Sequence, residues 1–220
     1  MRIVTLVPWR DGDARREWCW DITRPSLEEV GFPIFEGDAE GPWSRAGALN
    51  AASKRAGKWD IAFVADTDTI PETDAVHRAI GWVQSTGGAA RPHLDRYLLS
   101  RDGTLKIARR GWAEVEPRDI DHTWPGGGLL VLTRDAWETV GGYNESFVGW
   151  GFEDTAMNLA LLRHSRWDRL PGRAWHLWHR PARASTDTKR KAQELYAEYA
   201  AEVAAWGSNQ RGMTLIRETL

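Results

Sequence analysis

Cysteine is almost absent: Cys19 is the only one in 220 residues. No disulfide can close within the chain, and a cysteine-built zinc site is excluded. Net charge is nearly absent too. Lys and Arg number 29 against 31 Asp and Glu, a formal charge of −2, which argues against a general polyanion binder but allows a local basic patch. Long apolar runs are missing. Met1 to Trp9 is apolar but is broken by Pro8 and closed by Arg10 and Asp11. That is too short for the apolar stretch of a secretory leader, and nothing later approaches the roughly 20 apolar residues of a membrane span. The expectation is a soluble protein of a reducing, cytoplasmic compartment. Internal repeats and low-complexity linkers are also lacking, so the length implies one domain, or two lobes sharing a core. Phenylalanine and tyrosine are scarce, at 5 and 4, but tryptophan is not: there are 14. Each buried indole N–H needs a partner, so this excess points to flat ligands, with sugars and bases the leading candidates.

The pattern along the chain predicts α/β organisation. Arg2 to Val7 reads as a buried first strand ending at Pro8. Asp13 to Trp20 reads as a helix, with Pro25 interrupting, Ser26 restarting and Gly31 closing after Val30. A short strand over Phe32 to Phe35 leads to an acidic loop, Glu36-Gly37-Asp38, and an Ala-rich helix over Trp43 to Arg55 stops at Gly57. Trp59 to Ala65 is a strong strand ending in Asp66-Thr67-Asp68-Thr69, followed by a helix over Glu72 to Gln84 and Gly87-Gly88. Alternating strands and helices predict a mostly parallel, mixed sheet flanked by helices. Tyr97 to Leu99 and Thr104 to Ile107 around Arg101-Asp102-Gly103 suggest a hairpin in a basic segment carrying Arg91, Arg96, Arg101, Lys106, Arg109 and Arg110. Most of those charges read as a solvated face. Further on come a strand at Leu129 to Leu132, helices at Arg134 to Val140 and Glu153 to Arg163, and a last strand at Ala174 to Leu177. A final helix over Thr186 to Trp206 presents Ala192, Leu195, Tyr196, Tyr199, Val203 and Trp206 on one face.

Four groups of residues carry chemistry. Asp66 and Asp68 sit at the carboxyl end of a buried strand, where open α/β sheets bind ligands. Oxygen ligands there suit Mg²⁺ or Mn²⁺ bridging to a phosphate, although a solvated Asx turn explains a lone D-x-D equally well. Gly149-Trp150-Gly151-Phe152-Glu153-Asp154 puts two carboxylates at a helix start. The helix dipole accounts for one of them; the other is placed to accept a proton from an attacking hydroxyl. Trp150 offers an apolar plate for a sugar. His176 and His179 are three apart, which a strand would separate and a turn would unite, and a neutral imidazole there completes a metal site. Arg10, Arg45 and the acidic pair Glu36 and Asp38 are candidates for a diphosphate and for a base or ribose, against an ordinary surface role for each.

In order, the chain has a strand ending Pro8-Trp9-Arg10, a helix from Arg45 to Asn50, the D-x-D, the stretch "GGGLLVLTRDAWETVGGYNESFVGWGFEDTAMNLAL" from Gly126 to Leu161, and a late histidine. This resembles a GT-A glycosyltransferase, most closely the beta-1,4-galactosyltransferase C-terminal region and related bacterial enzymes, over Ile3 to Pro181. The resemblance implies a single GT-A-like domain: a nucleotide-sugar half at 1–90, the hairpin segment at 91–123, an acceptor and catalytic half at 124–182 and the C-terminal helix at 183–220. It implies a UDP-linked donor and Mn²⁺ (or Mg²⁺). Asp68 would be the main metal ligand, with Asp66 on the ribose or metal side, His179 the late ligand, and His176 where those enzymes use methionine. Pro8, Trp9 and Arg10 would contact the nucleotide, with Asp38, Arg45, Asp66, Trp150 and Gly151 also on the donor. Asp154 would be the catalytic base and Glu153 would orient the acceptor. An Asp at that place favours inversion. A glycan, a protein, a lipid head group and a modified nucleic acid all remain open as acceptors. Two other functions compete: a non-catalytic carbohydrate-binding module, which leaves the carboxylate pairs idle, and a nucleotidyltransferase, which lacks a Gly-rich phosphate loop here.

Overall fold

The computed structural model describes residues 1–110, 115–122, 127–149, 151–180 and 186–205. Its main sheet has six strands in the order β2-β1-β3-β8-β5-β9. These are β1 (Ile3–Pro8), β2 (Ile34–Gly37), β3 (Ile61–Ala65), β5 (Ala89–Arg91), β8 (Leu129–Thr133) and β9 (Trp167–Arg169). β1 lies parallel to β2 and β3, and β5 parallel to β9, while β8 runs antiparallel between β3 and β5. The sheet is therefore mixed and mostly parallel, as expected. β3 is buried along its whole length, which is why it reads as a continuous apolar run rather than an alternating one.

Helices α1 (Ala14–Val30), α2 (Arg45–Ala56), α3 (Thr73–Thr86), α5 (Arg134–Thr139) and α6 (Glu153–His164) cover the sheet. The cores on its two faces are built around Leu6, Leu49, Val64 and Leu161, and around Leu27, Phe63, Val76 and Val131. Asp13 caps α1 by accepting from the Arg15 N–H, and Gly31 closes it in a left-handed turn at φ 90°. α1 corrects the expected break at Pro25. The buried stripe Cys19, Trp20, Thr23, Leu27 and Val30 runs straight past the proline. Pro25 and Asp21 are both exposed, so water can satisfy the carbonyl that the missing N–H leaves free.

A second sheet, which the sequence reading did not anticipate, has the order β4-β10-β6-β7. It consists of β4 (Thr69–Pro71), β6 (Asp95–Leu98), β7 (Asp119–Asp121) and β10 (Arg173–His176). Here the expected hairpin is replaced by helix α4 (Arg101–Arg110). Ser100 starts that helix: its Oγ accepts from the Gly103 N–H at 3.0 Å and its carbonyl accepts from the Thr104 N–H at 2.9 Å. Gly103, Thr104 and Ile107 are its buried positions, a helical spacing that outweighs the turn-like Arg-Asp-Gly. The basic segment is not uniformly solvated either. Arg91 is 3% exposed, and Arg96 pairs with Asp121 at 2.6 Å.

Helix α7 (Thr186–Ala205) packs on α6. Tyr199 and Val203 are buried beside Phe147 and Met157. Trp206, expected to end this helix, lies outside the described residues. No helix among them is long and apolar enough to cross a membrane.

Candidate active site

The two sheets meet at the carboxyl end of β3. The Asp66 N–H donates to the Gly128 carbonyl at 2.9 Å, and the chain then turns through Asp68 into β4. β4 pairs antiparallel with β10 so that Thr69 faces His176. The Leu177 N–H donates to the Asp68 carbonyl at 2.8 Å. This register brings a histidine more than a hundred residues away up to the D-x-D turn. Beyond His176 the strand ends and the chain bends, so the two imidazoles lie 5.1 Å apart. His179 Nε2 stands 3.2 Å from Asp68 Oδ2, and His176 Nε2 stands 3.8 Å from Asp68 Oδ1. One donor atom from each of Asp68, His176 and His179 falls within 4.8 Å of the others.

This triad fits a divalent cation. His179 Nδ1 lies 3.1 Å from the Arg180 carbonyl, which leaves the buried Nε2 to face Asp68 and the triad. A backbone partner on one ring nitrogen that frees the other is the arrangement of a metal-ligating histidine. Burial alone would raise the Asp68 carboxyl, but the charge of His176 and the hydrogen bond and charge of His179 outweigh it and hold it well below the usual carboxylate range. Burial pushes His176 down, while the hydrogen bond to Asp68 pushes His179 up. Two nitrogens and a carboxylate suit Mn²⁺ better than Mg²⁺, which prefers oxygen and retained waters.

Asp66 faces away from the triad. Its Oδ1 accepts from Arg45 Nε at 2.6 Å, and the Nη1 of that guanidinium donates to Asp154 Oδ1 at 2.5 Å, with Glu153 Oε1 3.9 Å away. The structure thus separates the four residues expected on the metal: Asp68, His176 and His179 converge, and Asp66 belongs to a carboxylate cluster organised by Arg45. Burial raises Asp66 to about 6 against the pull of Arg45. Burial and the neighbouring Asp154 raise Glu153 to about 7. Gly127 fits because it has no side chain: a Cβ there would run into the Asp154 carboxylate and press on Asp66. Asn50, one helical turn beyond Arg45, donates to the Tyr143 carbonyl and to Glu145, both at 2.8 Å, and accepts from the Tyr143 N–H at 3.0 Å. It fixes the Gly141-Gly142-Tyr143 turn to the helix that carries Arg45.

The cleft over Asp66 and Asp68 is lined by Pro8, Arg16, Trp43, Arg45, His179 and Arg180, among others. Pro8 is where the sequence reading put it. Arg10 is not free for a ligand: it donates to Asp38 at 2.7 Å, to the Gly41 carbonyl at 2.8 Å and to the Ala39 carbonyl. Asp38 is therefore its brace, and Glu36 lies 3.5 Å from Arg24. Trp9 packs against Trp20 with centroids 5.9 Å apart and donates to Asp11 at 3.0 Å. Sequence reasoning missed Arg16 and Trp43. The half-buried Arg16 guanidinium lies 3.9 Å from the centre of the Trp43 ring and makes no hydrogen bond or ion pair among the described residues. The available signal was an arginine in the first turn of the helix after β1, on the cleft side of its cap. Arg91 was read only as one charge of the basic segment. It lies with Arg45, Tyr143 and Asp154 around a small void, and burial lowers it to about 10. Gly151 has φ 105°, and Phe152 has φ 68°, the one positive φ in a residue other than glycine among those described. For a side chain with a Cβ, that conformation costs roughly 1–2 kcal/mol. Trp150 lies outside the described residues.

The fold is similar to those of solved transferases. Drosophila beta-1,4-galactosyltransferase 7, in a variant crystallised with manganese, UDP-Gal and xylobiose, superposes with a TM-score of 0.55 at 16% identity, over 87% of this chain and 79% of that one. Its catalytic domain with xylobiose gives 0.50 at 15% identity over the same shares. The chain has the GT-A glycosyltransferase fold. Within it, residues 116–177 match the family model described as the N-terminal domain of galactosyltransferase. Two curated relatives, beta-1,4-galactosyltransferase 4 of Cricetulus griseus and of Rattus norvegicus, are each 24% identical over 170 residues, covering 74% of this chain and 43% of the relative. The chain thus spans less than half the length of those relatives. The matched 62-residue segment holds β8, the Glu153-Asp154 pair and His176, so it carries two of the carboxylates facing Arg45 and one imidazole of the triad.

Proposed function

We propose that the chain is a metal-dependent, inverting glycosyltransferase that moves a sugar from a UDP-linked donor to a glycan hydroxyl. One observation carries the reading: Asp68 meets two imidazoles, and Arg45, which lines the same cleft as Asp66 and Asp68, ties Asp66 to Asp154. Metal chemistry and carboxylate chemistry stand side by side, as transfer from a nucleotide diphosphate requires. The galactosyltransferase relatives, and the UDP-Gal, manganese and xylobiose named for the Drosophila enzyme, support the donor, metal and acceptor classes.

Asp68, His176 and His179 would hold the cation, which when bound would neutralise charge on the leaving diphosphate. Arg16 takes the role expected of Arg10. It lines the cleft, its guanidinium makes no hydrogen bond or ion pair among the described residues, and it lies over the Trp43 ring, where it suits a forked contact to phosphate. Asp154 is the base. Arg45 holds its carboxylate in place, and it removes the proton from the acceptor hydroxyl as that oxygen attacks the anomeric carbon. The bond from that carbon to the diphosphate oxygen breaks, and UDP leaves with the electron pair. Glu153, raised to about 7 by burial and Asp154, is partly protonated near neutrality and suits a hydrogen bond to the sugar better than proton removal. Trp150, between glycines at φ 87° and 105°, is the proposed cover that limits hydrolysis.

The test is a thermal-shift series with UDP, with and without Mn²⁺, followed by transfer from UDP-Gal to xylobiose with and without EDTA. UDP is expected to stabilise the chain only with metal, and Asp68→Ala is expected to abolish both responses. No metal-dependent response to any nucleotide would overturn the reading.

A further inference from the structure

The residue before the acidic pair is a phenylalanine held where glycine is the natural choice. Phe152 caps the start of α6 in the left-handed conformation at φ 68° and makes no side-chain cap hydrogen bond. A bulky aromatic side chain with positive φ is an outlier that persists only when its surroundings enforce it. Those surroundings lie in α7. The Phe152 ring stacks on the half-buried Tyr196 ring, with centroids 5.3 Å apart and planes 23° apart. Upstream in the same loop, Phe147 meets Tyr199 of α7 edge-on at 6.4 Å. The Phe152 carbonyl accepts the Ala156 N–H at 2.8 Å, the first turn of α6. The direction in which Glu153 and Asp154 enter the cleft is therefore set at Phe152, and Phe152 is set by α7.

We infer that Phe152 and Tyr196 form a positioning lock. The C-terminal helix, through this stack, holds a strained turn that aims Asp154 at Arg45 and the acceptor oxygen. The catalytic half of the inference rests on Asp154 being the base; the structural half does not. In this arrangement α7 contributes the lock without contributing a group to the chemistry. Glycine adopts φ 68° at no steric cost, so a glycine at 152 removes the need for the stack.

The test uses Tyr196→Leu, Phe152→Gly and the double variant, each checked for folding by circular dichroism. In the metal-free chain, Tyr196→Leu is expected to speed hydrogen exchange at the Ala156 and Met157 amides, the first that α6 protects, about tenfold, and the double variant to restore protection. With UDP-Gal, Mn²⁺ and acceptor, kcat should fall about tenfold in Tyr196→Leu with the donor KM within twofold of wild type, and recover in the double variant. A purely structural Tyr196 would lower the melting temperature of both variants and leave exchange at these amides and kcat alike between them. Unchanged exchange in Tyr196→Leu, or no recovery in the double variant, would overturn the lock. The predicted exchange pattern in a chain that transfers no sugar would overturn the glycosyltransfer reading and leave the lock standing.

Discussion

Arg45 is the residue on which the cleft turns. It is a largely buried guanidinium facing three carboxylates, with Asp66 and Asp154 both in contact and Glu153 within 4 Å. Removing one partner of such a group leaves buried like charges opposed, which costs on the order of 3–5 kcal/mol. Arg45→Met is therefore expected to lower stability by several kcal/mol in urea unfolding, and to lose transfer even under conditions where the chain stays folded. Arg45→Lys should recover part of the stability but little of the activity, because an ammonium cannot span both carboxylates at once. Asp154→Asn asks a narrower question. It keeps shape and hydrogen-bonding capacity while removing the base, so kcat should fall by about 10²–10⁴ with the metal-dependent UDP stabilisation intact. Wild-type transfer by Asp154→Asn would remove the base assignment. Arg45 was visible in the sequence only as a cation near the right strand, and its reading as a diphosphate ligand was reasonable there. What it pairs with depends on α2 lying across β1 with its first turn at the cleft, which no local pattern states.

At the scale of elements, the site is assembled by pairings between distant segments. β4 and β10 are three and four residues long, yet their register decides that His176 and His179 meet Asp68. Asn50 joins α2 to the turn before the acidic loop in the same way, with three hydrogen bonds to one distant segment. At about 1 kcal/mol net for each bond, and more where a buried backbone group loses its partner, Asn50→Ala should cost roughly 2–4 kcal/mol. Chemical denaturation would measure that, and a loss below about 0.5 kcal/mol would show the turn to be self-supporting. The long elements were legible in advance: β1, β3, β8 and helices α2, α3, α5, α6 and α7 fall within a few residues of where apolar periodicity, Ser and Thr caps and Gly stops place them. Among the strands of three or four residues, β2 and β10 were also placed within a few residues, but β4, β5, β7 and β9 were not. β4, β5 and β9 are too short for alternation to register. α4 was hidden because Arg101-Asp102-Gly103 is as good a turn as it is a first helical turn, and only the burial of Thr104 and Ile107 decides between them.

The whole molecule sets the cleft at the junction of two sheets, and that placement explains how it should respond to pH. Asp66 and Glu153 are buried where Asp154 adds a like charge, and both carry raised values, about 6 and about 7 against 3.8 and 4.5. Between its unfolded and folded values such a carboxyl binds more protons folded than unfolded. Its contribution to stability is complete below the unfolded value and is lost as pH rises through the folded one. His179, raised by Asp68, acts in the same direction, whereas His176, lowered by burial, acts in the opposite one. Substituting Glu153 therefore isolates one share. In EDTA, wild type is expected to lose more stability than Glu153→Gln between about pH 5 and pH 8, by on the order of 1–3 kcal/mol. Urea midpoints of the two proteins at the two pH values give the difference directly. Equal losses would mean that Glu153 is ionised across the whole range and that its burial is relieved by solvent. The same logic says what metal should do. A cation at Asp68 and the imidazoles binds the folded state alone and in competition with protons, so it should raise the midpoint more at about pH 8 than at about pH 5. A midpoint that rises equally with Mn²⁺ at both values would move the cation away from the histidines and onto carboxylates alone.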